Sequence, residues 1–505
     1  MTYLMGIDAG STSCKVVIFD ERGKIIASSA TPSVRIHRRG EGFEEIELHE
    51  MWSLIAFCIS SAIRKADISS EEIKGIGATS YGNGVVFVGR DKEVITPACL
   101  SQDYRAAGIL DLYRKNGNFE KIKAIVKGDL FAGEPGPLLR WYKEHERSVY
   151  DRIGGVMAFK DYVTMKLTGT IATDLNCWGG SFMLDMDRFT NSEELMNLYG
   201  IEELIPCLPR LAESPSEIIG HVTKEAAEDT GLAEGTPVAA GMMDILACLV
   251  GAGAAGPGVY TVIAGSWAIN QTHSDRIFPD LSFNMPYLFK GQYLNVSSTG
   301  ASGSNYEWFT RELGDRAKHE GGNRGISYFK VLDELIDSVP IDQAKVLFCP
   351  FMAQPSIHEL AKADFLNIDL STTYAELCYA VAEGVAFIHR YHIELLKAHG
   401  LPLEEVRLTG GIARSETWKR IFANVLQVPI IGAECEETGA LGAAIAAGLE
   451  AGIYRDYDDA FAKAVKTKDR VLPDPETKAV YECRYEEWSK VNEILKQYWD
   501  WKKNR

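Results

Sequence analysis

The sequence has few of the features that mark secreted, zinc-binding or membrane-spanning proteins. Its ten cysteines are scattered without a C-x-x-C pair, a distribution that favours a reduced cytosol and buried thiols over disulfides or a zinc site. The apolar window at residues 237–262 is rich in glycine and contains Asp244, which makes it a poor membrane span. The chain opens on a strand-like segment and not on a basic, then apolar, leader. Together these absences predict a cytoplasmic protein.

Positive charge is scarce relative to negative charge. The 505 residues contain 53 Lys and Arg against 70 Asp and Glu, a formal net charge of −17. Such an acidic chain argues against nucleic-acid or anionic-membrane partners, and it is compatible with a local site for a nucleotide. At this length one hydrophobic core is insufficient, so two or three domains are expected. The expected partners are therefore small molecules.

A strand–turn–strand pattern opens the chain, in the segment LMGIDAGSTSCKVVIFD. This segment contains neither G-x-G-x-x-G nor G-K-[ST]. The β-branched run after the turn predicts a strand where a Rossmann unit would have a helix, which argues against a nicotinamide dehydrogenase. Downstream, alternation of apolar strands with amphipathic helices, such as residues 51–65, predicts an α/β layered protein.

The first turn has the composition of a phosphate-binding loop. Backbone N–H groups and hydroxyls of Gly10, Ser11 and Thr12 can form an anion cradle, and Lys15 can neutralise a phosphate. Asp8, at the end of the first strand, has the right position to hold Mg²⁺ through water. The alternative is a tight hairpin in which turn amides satisfy the carboxylate. The residue pattern leaves both alternatives open.

Two further segments have candidate roles in phosphoryl transfer. The segment GVYTVIAGSWAINQT repeats the opening pattern, with its turn at Gly265 and Ser266, which indicates a duplicated fold. Asp244 stands at a predicted strand-to-helix junction, where a carboxylate is costly unless a cavity, a cation or a donor reaches it. It is either a general base for a hydroxyl that attacks a γ-phosphate or a helix N-cap.

Glycine and histidine motifs follow in the second half. Gly410 and Gly411, at a strand-to-helix turn, let a flat ligand approach the backbone, with Ser415 nearby; the alternative is an ordinary glycine turn. Residues 375–396 predict a long helix, and TGALGAAIAAG predicts a small-residue helix packed closely on a neighbour. His389 and His392 resemble a metal pair, but no Glu or Cys completes it, so they are predicted to lie on a solvated helix face.

Taken in order, these motifs resemble the FGGY family of carbohydrate kinases over nearly the whole chain. The similarity rests on GIDAGSTSCKVVIFD, AFKDYVTMKLTG, AAGMMDILACLVGAG, VIAGSWA, LTGGIARSETWKRIFANVL and TGALGAAIAAG. It implies the α/β fold of the actin, hexokinase and heat-shock ATPase superfamily, with two ribonuclease-H-like domains around a catalytic cleft, at residues 1–245 and 246–505. The last helix is a candidate to pack back on the first domain. The resemblance also implies ATP-dependent phosphorylation of a sugar or polyol hydroxyl, with Mg²⁺ as cofactor.

The resemblance implies a role for each candidate residue. Asp8 matches the magnesium-associated acid, and Asp244 matches the catalytic base that contacts the sugar. The second phosphate loop has Gly-Ser where the family more often has Gly-Thr. The nucleotide-binding positions are matched, in chain order, by Gly10, Ser11, Thr12, Lys15, Gly265, Ser266, Gly410, Gly411 and Ser415.

The sugar-contacting loop of the family corresponds to Tyr81, Gly82 and Asn83, and a second contact region contains Asp103. The Arg-Glu pair of glycerol kinases and the Gln-Met-His-Gly of D-xylulose kinases are absent from the first loop. The pattern is most similar to L-xylulose kinases, which implies a ketopentose substrate; D-xylulose, ribulose and erythritol are the alternatives. A chaperone-like ATPase of the same fold is the rival class, and the polar loop argues against it. A homodimer is compatible with such families, although no residue pattern indicates an interface.

Overall fold

The structure is a computed structural model that describes residues 2–353 and 355–505. It divides into two compact units, each discontinuous in the chain. Unit 1 comprises Met1–Ala255, His273–Asn295 and Glu437–Lys466; unit 2 comprises Gly256–Thr272, Val296–Glu436 and Thr467–Arg505. Both units combine strands with helices, which confirms the predicted α/β class. The predicted domain limits at residues 245 and 246 stay a prediction.

The secondary structure alternates strands and helices along most of the chain. The strands are β1 (Tyr3–Ala9), β2 (Cys14–Asp20), β3 (Ile25–Ala30), β4 (Glu45–Ile46), β5 (Ile73–Ser80), β6 (Val86–Val88), β7 (Ala98–Cys99), β8 (Gly155–Met157), β9 (Ala172–Asp174), β10 (Arg210–Ala212), β11 (Ile218–His221), β12 (Pro237–Ala239), β13 (Met242–Met243), β14 (Val259–Ala264), β15 (Ala268–Ser274), β16 (Phe283–Pro286), β17 (Tyr293–Thr299), β18 (Leu347–Cys349), β19 (Asp364–Leu366), β20 (Glu405–Thr409), β21 (Ile430–Ala433) and β22 (Thr467–Val471). The helices are α1 (Leu48–Ala66), α2 (Ala107–Asn116), α3 (Asn118–Val126), α4 (Pro135–His145), α5 (Arg147–Tyr150), α6 (Phe159–Thr168), α7 (Leu175–Gly180), α8 (Glu193–Tyr199), α9 (Lys224–Thr230), α10 (Asp244–Gly251), α11 (Gly303–Glu312), α12 (Asp315–Arg324), α13 (Tyr328–Asp337), α14 (Tyr374–Ala398), α15 (Glu416–Leu426), α16 (Thr438–Glu450), α17 (Tyr457–Ala464) and α18 (Lys478–Lys503). Across the described ranges, no helix combines the length and the apolarity that crossing a bilayer requires.

The main sheet of unit 1 has the strand order β11-β12-β5-β1-β2-β3, and β13 also pairs with β5. β1 and β2 form an antiparallel hairpin, which confirms the strand–turn–strand prediction for the opening segment. β1 and β13 both run parallel to β5. Because neighbouring parallel strands end at the same edge of a sheet, the residues that follow β1 and β13 meet there.

Small residues allow α16 to pack directly on this sheet and on α10. A Cβ on Gly6 would lie 1.9 Å from the carbonyl oxygen of Ala440, and one on Gly77 would lie 1.9 Å from that of Ala443. A Cβ on Gly442 would lie 2.0 Å from a carbonyl oxygen of α10. Side chains at these positions would overlap the neighbouring backbone. The predicted close packing of this helix is confirmed.

Unit 2 repeats the hairpin arrangement. β14 pairs antiparallel with β15 and parallel with β20, and β20 pairs parallel with β21, which β22 flanks in the antiparallel sense. The turn of this second hairpin contains Gly265 and Ser266. The prediction of a repeated strand–turn–strand element is therefore confirmed, and α18 belongs to this unit.

The prediction that the histidines of α14 face solvent is wrong. The long helix itself is confirmed, but His389 is 0% exposed and His392 is 2% exposed. His389 is hydrogen-bonded to Asn270 and Ser302, and His392 contacts serine hydroxyls. Polar rings can be buried when both nitrogens are hydrogen-bonded, and the partners come from other elements that the local pattern of the helix does not reveal.

Candidate active site

Asp8 and Asp244 lie at the carboxyl ends of nearby strands in unit 1. Asp8, on β1, pairs with Thr79 on β5, and the same Thr79 pairs with Met242 on β13, two residues before Asp244. The Thr79 hydroxyl donates to the carbonyl of Met242 at 2.8 Å, which ties β13 to β5. The two carboxyl groups interact electrostatically. They occupy the edge at which parallel α/β sheets bind ligands.

Both carboxyl groups have pKa values raised toward neutrality. Burial raises the pKa of Asp244 to about 7; the charge of Asp8 adds to the rise, and a 2.7 Å hydrogen bond from the Ile245 N–H opposes it. Burial also raises the pKa of Asp8 to about 6, with the Glu437 carboxylate adding to the rise and the Lys15 ammonium opposing it. A carboxylate of this kind can exchange a proton near pH 7.

Asp244 does not have the position of a helix N-cap. It is the first residue of α10, and the N-cap residue is Met243. A capping side chain accepts from an N–H two or three residues ahead, whereas the Asp244 carboxylate accepts from the adjacent Ile245. The N-cap alternative therefore does not describe this residue, and its carboxylate is left for other chemistry.

The turn between β1 and β2 exposes its tip. A Cβ on Gly10 would lie 2.8 Å from the Ser13 carbonyl oxygen, so the turn favours glycine there. The carbonyl of Thr12 accepts from the Val34 N–H at 2.7 Å, which anchors the tip. Thr12 is exposed and Ser11 is half-buried. The turn is therefore held in place while its tip stays accessible to a ligand.

Lys15 has an acidic partner that the sequence did not suggest. Its Nζ lies 2.9 and 2.8 Å from the two carboxylate oxygens of Glu437, the N-cap residue of α16. A Cβ on Gly439 would lie 2.8 Å from Asp8 Oδ2, so the start of α16 brings this pair beside Asp8. Glu437 follows Lys15 by 422 residues. Only the topology of unit 1 joins them, and no local motif could have predicted the contact.

The surroundings of Asp8 fit a magnesium ion that has few protein ligands. Mg²⁺ is usually bound by one or two carboxylates, several waters and substrate phosphates. Asp8 and Asp244 supply carboxylates whose ionised form is disfavoured by burial, so a nearby cation would stabilise them. Within residues 2–353 and 355–505, no group of three or more His, Cys, Asp or Glu side chains has the arrangement to hold a metal. The remaining ligands would come from water and substrate.

Unit 2 contains a cavity of about 590 Å³, a volume typical of small-molecule sites. The predicted residues Gly265, Ser266, Gly411 and Ser415 are among those that line it. The full lining is Ala264, Gly265, Ser266, Gly303, Tyr306, Glu307, Phe329, Asp333, Gly411, Ile412, Arg414, Ser415 and Trp418.

Gly410 supports this lining through a close backbone approach. Its φ is +91°, and a Cβ there would lie 2.7 Å from the carbonyl oxygen of Ala264. The turn after β20 therefore requires glycine to lie against the second hairpin. Ser415 is the N-cap of α15 and donates its hydroxyl to Asp333 at 2.9 Å. Five predicted nucleotide-binding residues therefore lie in one region of unit 2. They are Gly265, Ser266, Gly410, Gly411 and Ser415.

The aromatic side of the cavity was missed by sequence analysis. The ring centroids of Tyr306 and Trp418 are 4.9 Å apart at an interplanar angle of 70°, and those of Tyr306 and Phe329 are 6.2 Å apart. Trp418 lies in the LTGGIARSETWKRIFANVL motif, but a tryptophan on an amphipathic helix equally indicates core packing. The side chains offer flat apolar surfaces of the kind that contact a planar base.

The predicted sugar loop follows β5 and adjoins the Asp244 segment. Tyr81 stacks on Phe159 with centroids 5.4 Å apart, and its buried hydroxyl has no hydrogen-bond partner among the described residues. A Cβ on Gly82 would lie 2.2 Å from the side chain of Met243, the residue before Asp244. The loop and the candidate base are therefore neighbours in unit 1.

Asn83 is held in the left-handed backbone region, with a φ of +66°. With its amide oriented to suit its neighbours, Nδ2 donates to the carbonyl of Gly180 and to the carboxyl of Glu134, each at 2.9 Å. Glu134 is fully buried, and burial raises the pKa of its carboxyl well above the usual range. The amide nitrogen is thus engaged, and Asn83 itself is half-exposed.

Asp103 is not open to a ligand in this structure. It is 1% exposed, and Arg105 donates to its carboxylate from Nε at 2.9 Å and from Nη2 at 2.6 Å. The Glu44 N–H donates to the same carboxylate at 2.9 Å. Its hydrogen-bonding capacity is used within unit 1, unlike that of Tyr81.

Comparison with known proteins extends over almost all of the chain. Family models match residues 3–251 as the N-terminal domain, and residues 260–451 as the C-terminal domain, of the FGGY family of carbohydrate kinases. A Haemophilus influenzae protein named probable L-xylulose kinase is 30% identical over 508 residues, covering 98% of this chain and 99% of that one. The autoinducer-2 kinase of Enterobacter sp. strain 638 is 27% identical over 503 residues, covering 97% and 94%.

A solved structure agrees with these sequence matches. Xylulose kinase from Rhodospirillum rubrum superposes with a TM-score of 0.87 at 26% identity, covering 98% of this chain and 99% of that one. The predicted fold of the actin and hexokinase ATPase superfamily is therefore confirmed. With both family domains matched in order and a relative at 30% identity over its length, this chain belongs to the FGGY family of carbohydrate kinases.

Proposed function

We propose that the protein transfers the γ-phosphate of ATP to a hydroxyl of a ketopentose, with L-xylulose as the preferred acceptor. The relative named as an L-xylulose kinase and the solved xylulose kinase, each similar over nearly the whole chain, support a pentulose substrate. The observation that carries the proposal is the position of Asp244, a half-buried aspartate beside Asp8 at the carboxyl edge of the unit 1 sheet, with a carboxyl pKa raised to about 7.

Asp244 accepts the proton of the attacking hydroxyl in this proposal. A base whose pKa is near the working pH combines a useful ionised fraction with enough proton affinity to assist attack. The hydroxyl oxygen attacks phosphorus in line with the departing ADP oxygen, and its proton moves to the Asp244 carboxylate. The Ile245 N–H, at 2.7 Å, restrains the carboxylate for this role.

Each hairpin turn is proposed to bind phosphate of the nucleotide. The aromatic cavity of unit 2 takes the adenine, with Gly410, Gly411 and Ser415 at its glycine turn. In unit 2 the proposed phosphate-binding residues are Gly265 and Ser266. In unit 1 they are Gly10, Ser11, Thr12 and Lys15. Asp8 would hold Mg²⁺ together with water and phosphate oxygens, and the bound ion would neutralise charge on the transferring phosphoryl group.

The sugar is proposed to bind at the loop after β5. The unpartnered hydroxyl of Tyr81 and the half-exposed amide of Asn83 offer hydrogen bonds, with the backbone of Gly82 between them. Sites that hydrogen-bond a substrate hydroxyl reject analogues that lack it, because a buried polar group is then left unpaired. Asp103 acts indirectly in this proposal, by holding the Arg105 guanidinium in place.

A coupled ADP-release assay tests the proposal. The acceptor panel is L-xylulose, D-xylulose, L-ribulose, D-ribulose, erythritol and glycerol, each with Mg²⁺ and ATP. We expect the highest kcat/KM with L-xylulose and formation of a stoichiometric sugar phosphate. ADP release that no acceptor stimulates would contradict the kinase and favour a chaperone-like ATPase. A higher kcat/KM with another acceptor would refute the choice of sugar while leaving the chemistry intact. The cytoplasmic location and the homodimer stay predictions.

A further inference from the structure

Unit 2 contains a buried histidine that the proposed reaction does not use. His389, on α14, is fully buried, and both of its ring nitrogens are hydrogen-bonded. Nδ1 lies 2.8 Å from Asn270 Oδ1, and Nε2 lies 2.9 Å from Ser302 Oγ. Asn270 is on β15, the strand that follows Ser266, and Ser302 immediately precedes α11. The His389 side chain therefore links β15 and the start of α11, which flank the turn at Gly265 and Ser266.

The direction of each hydrogen bond follows from the chemistry of the partners. Burial lowers the pKa of His389 to about 3, so the ring is neutral and carries a single N–H. Asn270 donates from Nδ2 to the carbonyl of Ser297 at 3.2 Å, so its Oδ1 accepts and the Nδ1–H of His389 donates. Nε2 is then the acceptor, and the hydroxyl of Ser302 donates to it. The network selects one tautomer.

Ser302 has the N-cap position of α11 without acting as a cap. A serine there usually accepts from an N–H of the first helical turn, but the Ser302 side chain makes no such bond and is engaged by His389. The next residue, Gly303, donates its N–H to the carbonyl of Gly265 at 2.7 Å. A Cβ on Gly303 would lie 2.5 Å from that oxygen, so the contact requires glycine.

This contact determines which way the peptide between Gly265 and Ser266 faces. The peptide is trans, so its carbonyl and its N–H point to opposite sides. Because the carbonyl points to Gly303, the N–H of Ser266 points away from α11, and Ser266 is exposed at the cavity. In this orientation the N–H can donate to a phosphate oxygen, whereas a flipped peptide would present a carbonyl that repels it.

We infer that His389 is a positioning residue for the nucleotide phosphates, because it holds Ser302 and Gly303 in the arrangement that keeps the Ser266 N–H available. The inference rests on the proposed binding of ATP phosphates at Gly265 and Ser266. Without His389, Ser302 is free to turn and cap α11, and the Gly303 contact loses its support. Of the rings proposed to take the adenine, Phe329 and Trp418 lie on α13 and α15, outside this chain of contacts, and only Tyr306 lies on α11.

The test is calorimetric titration of the whole protein with ADP and, separately, with adenosine. His389→Asn keeps a donor near Asn270 but is too short to reach Ser302, and Ser302→Ala removes the hydroxyl. Both should weaken ADP binding by about three- to tenfold, the value of one hydrogen bond, and weaken adenosine binding less. His389→Gln, whose Oε1 can reach the Nε2 position, should restore ADP affinity.

The matched control is His392→Asn. His392 is equally buried, with its ring nitrogens 2.8 Å from Ser297 Oγ and 2.9 Å from Ser356 Oγ. This variant should lose thermal stability but keep both affinities. Equal losses for ADP and adenosine, or unchanged ADP affinity in His389→Asn and Ser302→Ala, would overturn the inference. If one of these two does not fold, the other decides. A wild-type protein that binds neither ligand would instead refute the proposed function.

Discussion

The Nζ of Lys15 lies 2.8 Å from a carboxylate oxygen of Glu437, and the two charges act in opposite directions on Asp8. Glu437 raises the pKa of Asp8 and Lys15 lowers it. Lys15 was predicted to neutralise a phosphate. In the structure the Lys15 ammonium already pairs with the Glu437 carboxylate, so a nucleotide phosphate would have to compete with Glu437 for it.

Glu437→Gln should lower the pKa of Asp8, because one of the negative charges that raise it is removed. Lys15→Met should raise it. The measurement is the pH dependence of Mg²⁺-ADP binding between pH 5 and 8, and the readout is the midpoint of the acid limb, which overall affinity does not affect. We expect the midpoint to shift to lower pH in Glu437→Gln and to higher pH in Lys15→Met. Shifts in the same direction would contradict this account.

Asp244→Asn should reduce kcat by about 10²- to 10⁴-fold, the usual contribution of a positioned general base. Adenosine affinity should not change, because the substitution conserves volume and lies in unit 1, whereas the cavity proposed for the adenine lies in unit 2. The matched control is Asp111→Asn, at an exposed aspartate on α2. Turnover above one-tenth of the wild-type rate would remove Asp244 as the base.

The wild-type kcat/KM should fall as the pH drops through about 7 and 6, because the base must be ionised and the acid pair has raised pKa values. Asp8→Asn removes the charge that adds to the pKa of Asp244. The residual activity of that variant should therefore persist to lower pH. A pH–rate profile of both proteins checks this, and an acid limb displaced to higher pH in Asp8→Asn would be inconsistent with it.

Asp244→Asn should also stabilise the fold at alkaline pH. A carboxyl whose pKa is higher in the folded state than in the unfolded state favours folding at low pH, and that advantage is lost as the pH rises to the folded value. For Asp244 this advantage is lost between about pH 4, the ordinary pKa of an aspartate, and about pH 7, its raised pKa in the folded protein. Thermal melts should show a Tm gain for the variant at pH 8 and little difference at pH 4. A constant difference across that range would contradict the sign.

Gly6→Ala should destabilise the protein by at least about 2 kcal/mol, the scale of overpacking in a close-packed region. Its Cβ would overlap the carbonyl of Ala440. The control is Gly322→Ala in α12, where a Cβ has nothing within 4 Å and should stabilise the helix by about 0.5–1 kcal/mol. Denaturant titration of both variants measures the two effects, and equal changes would refute the packing argument.

Much of the fold was predictable because the decisive information is local. The two hairpins are encoded by β-branched runs around glycine turns, and α16 by its run of glycine and alanine. The positions Gly265, Gly411 and Ser415 fall together in one cavity because each lies at the end of a strand in the same sheet, or one short turn beyond it.

The features that could not be predicted depend on contacts between segments that are distant in the sequence. Glu437 reaches Lys15 only because α16 packs on the first sheet, and no spacing rule relates residues so far apart. The sequence predicted a solvent-exposed His389, because an analysis of hydrophobic periodicity counts imidazole as a polar side chain. Its burial depends on Asn270 and Ser302, which belong to other elements. The aromatic lining of the cavity could not be predicted either, because aromatic residues at helical spacing are equally typical of core packing and of ligand contact.

The discontinuity of unit 1 has a consequence for biosynthesis. Residues Glu437–Lys466, with α16, complete a unit whose first strands leave the ribosome hundreds of residues earlier. Until then the glycine-lined face at Gly6 and Gly77 has no helix to cover it. The nascent chain must keep that surface from premature pairing while all of Val296–Glu436 is translated, so unit 1 completes its fold only after Glu437–Lys466 have been translated.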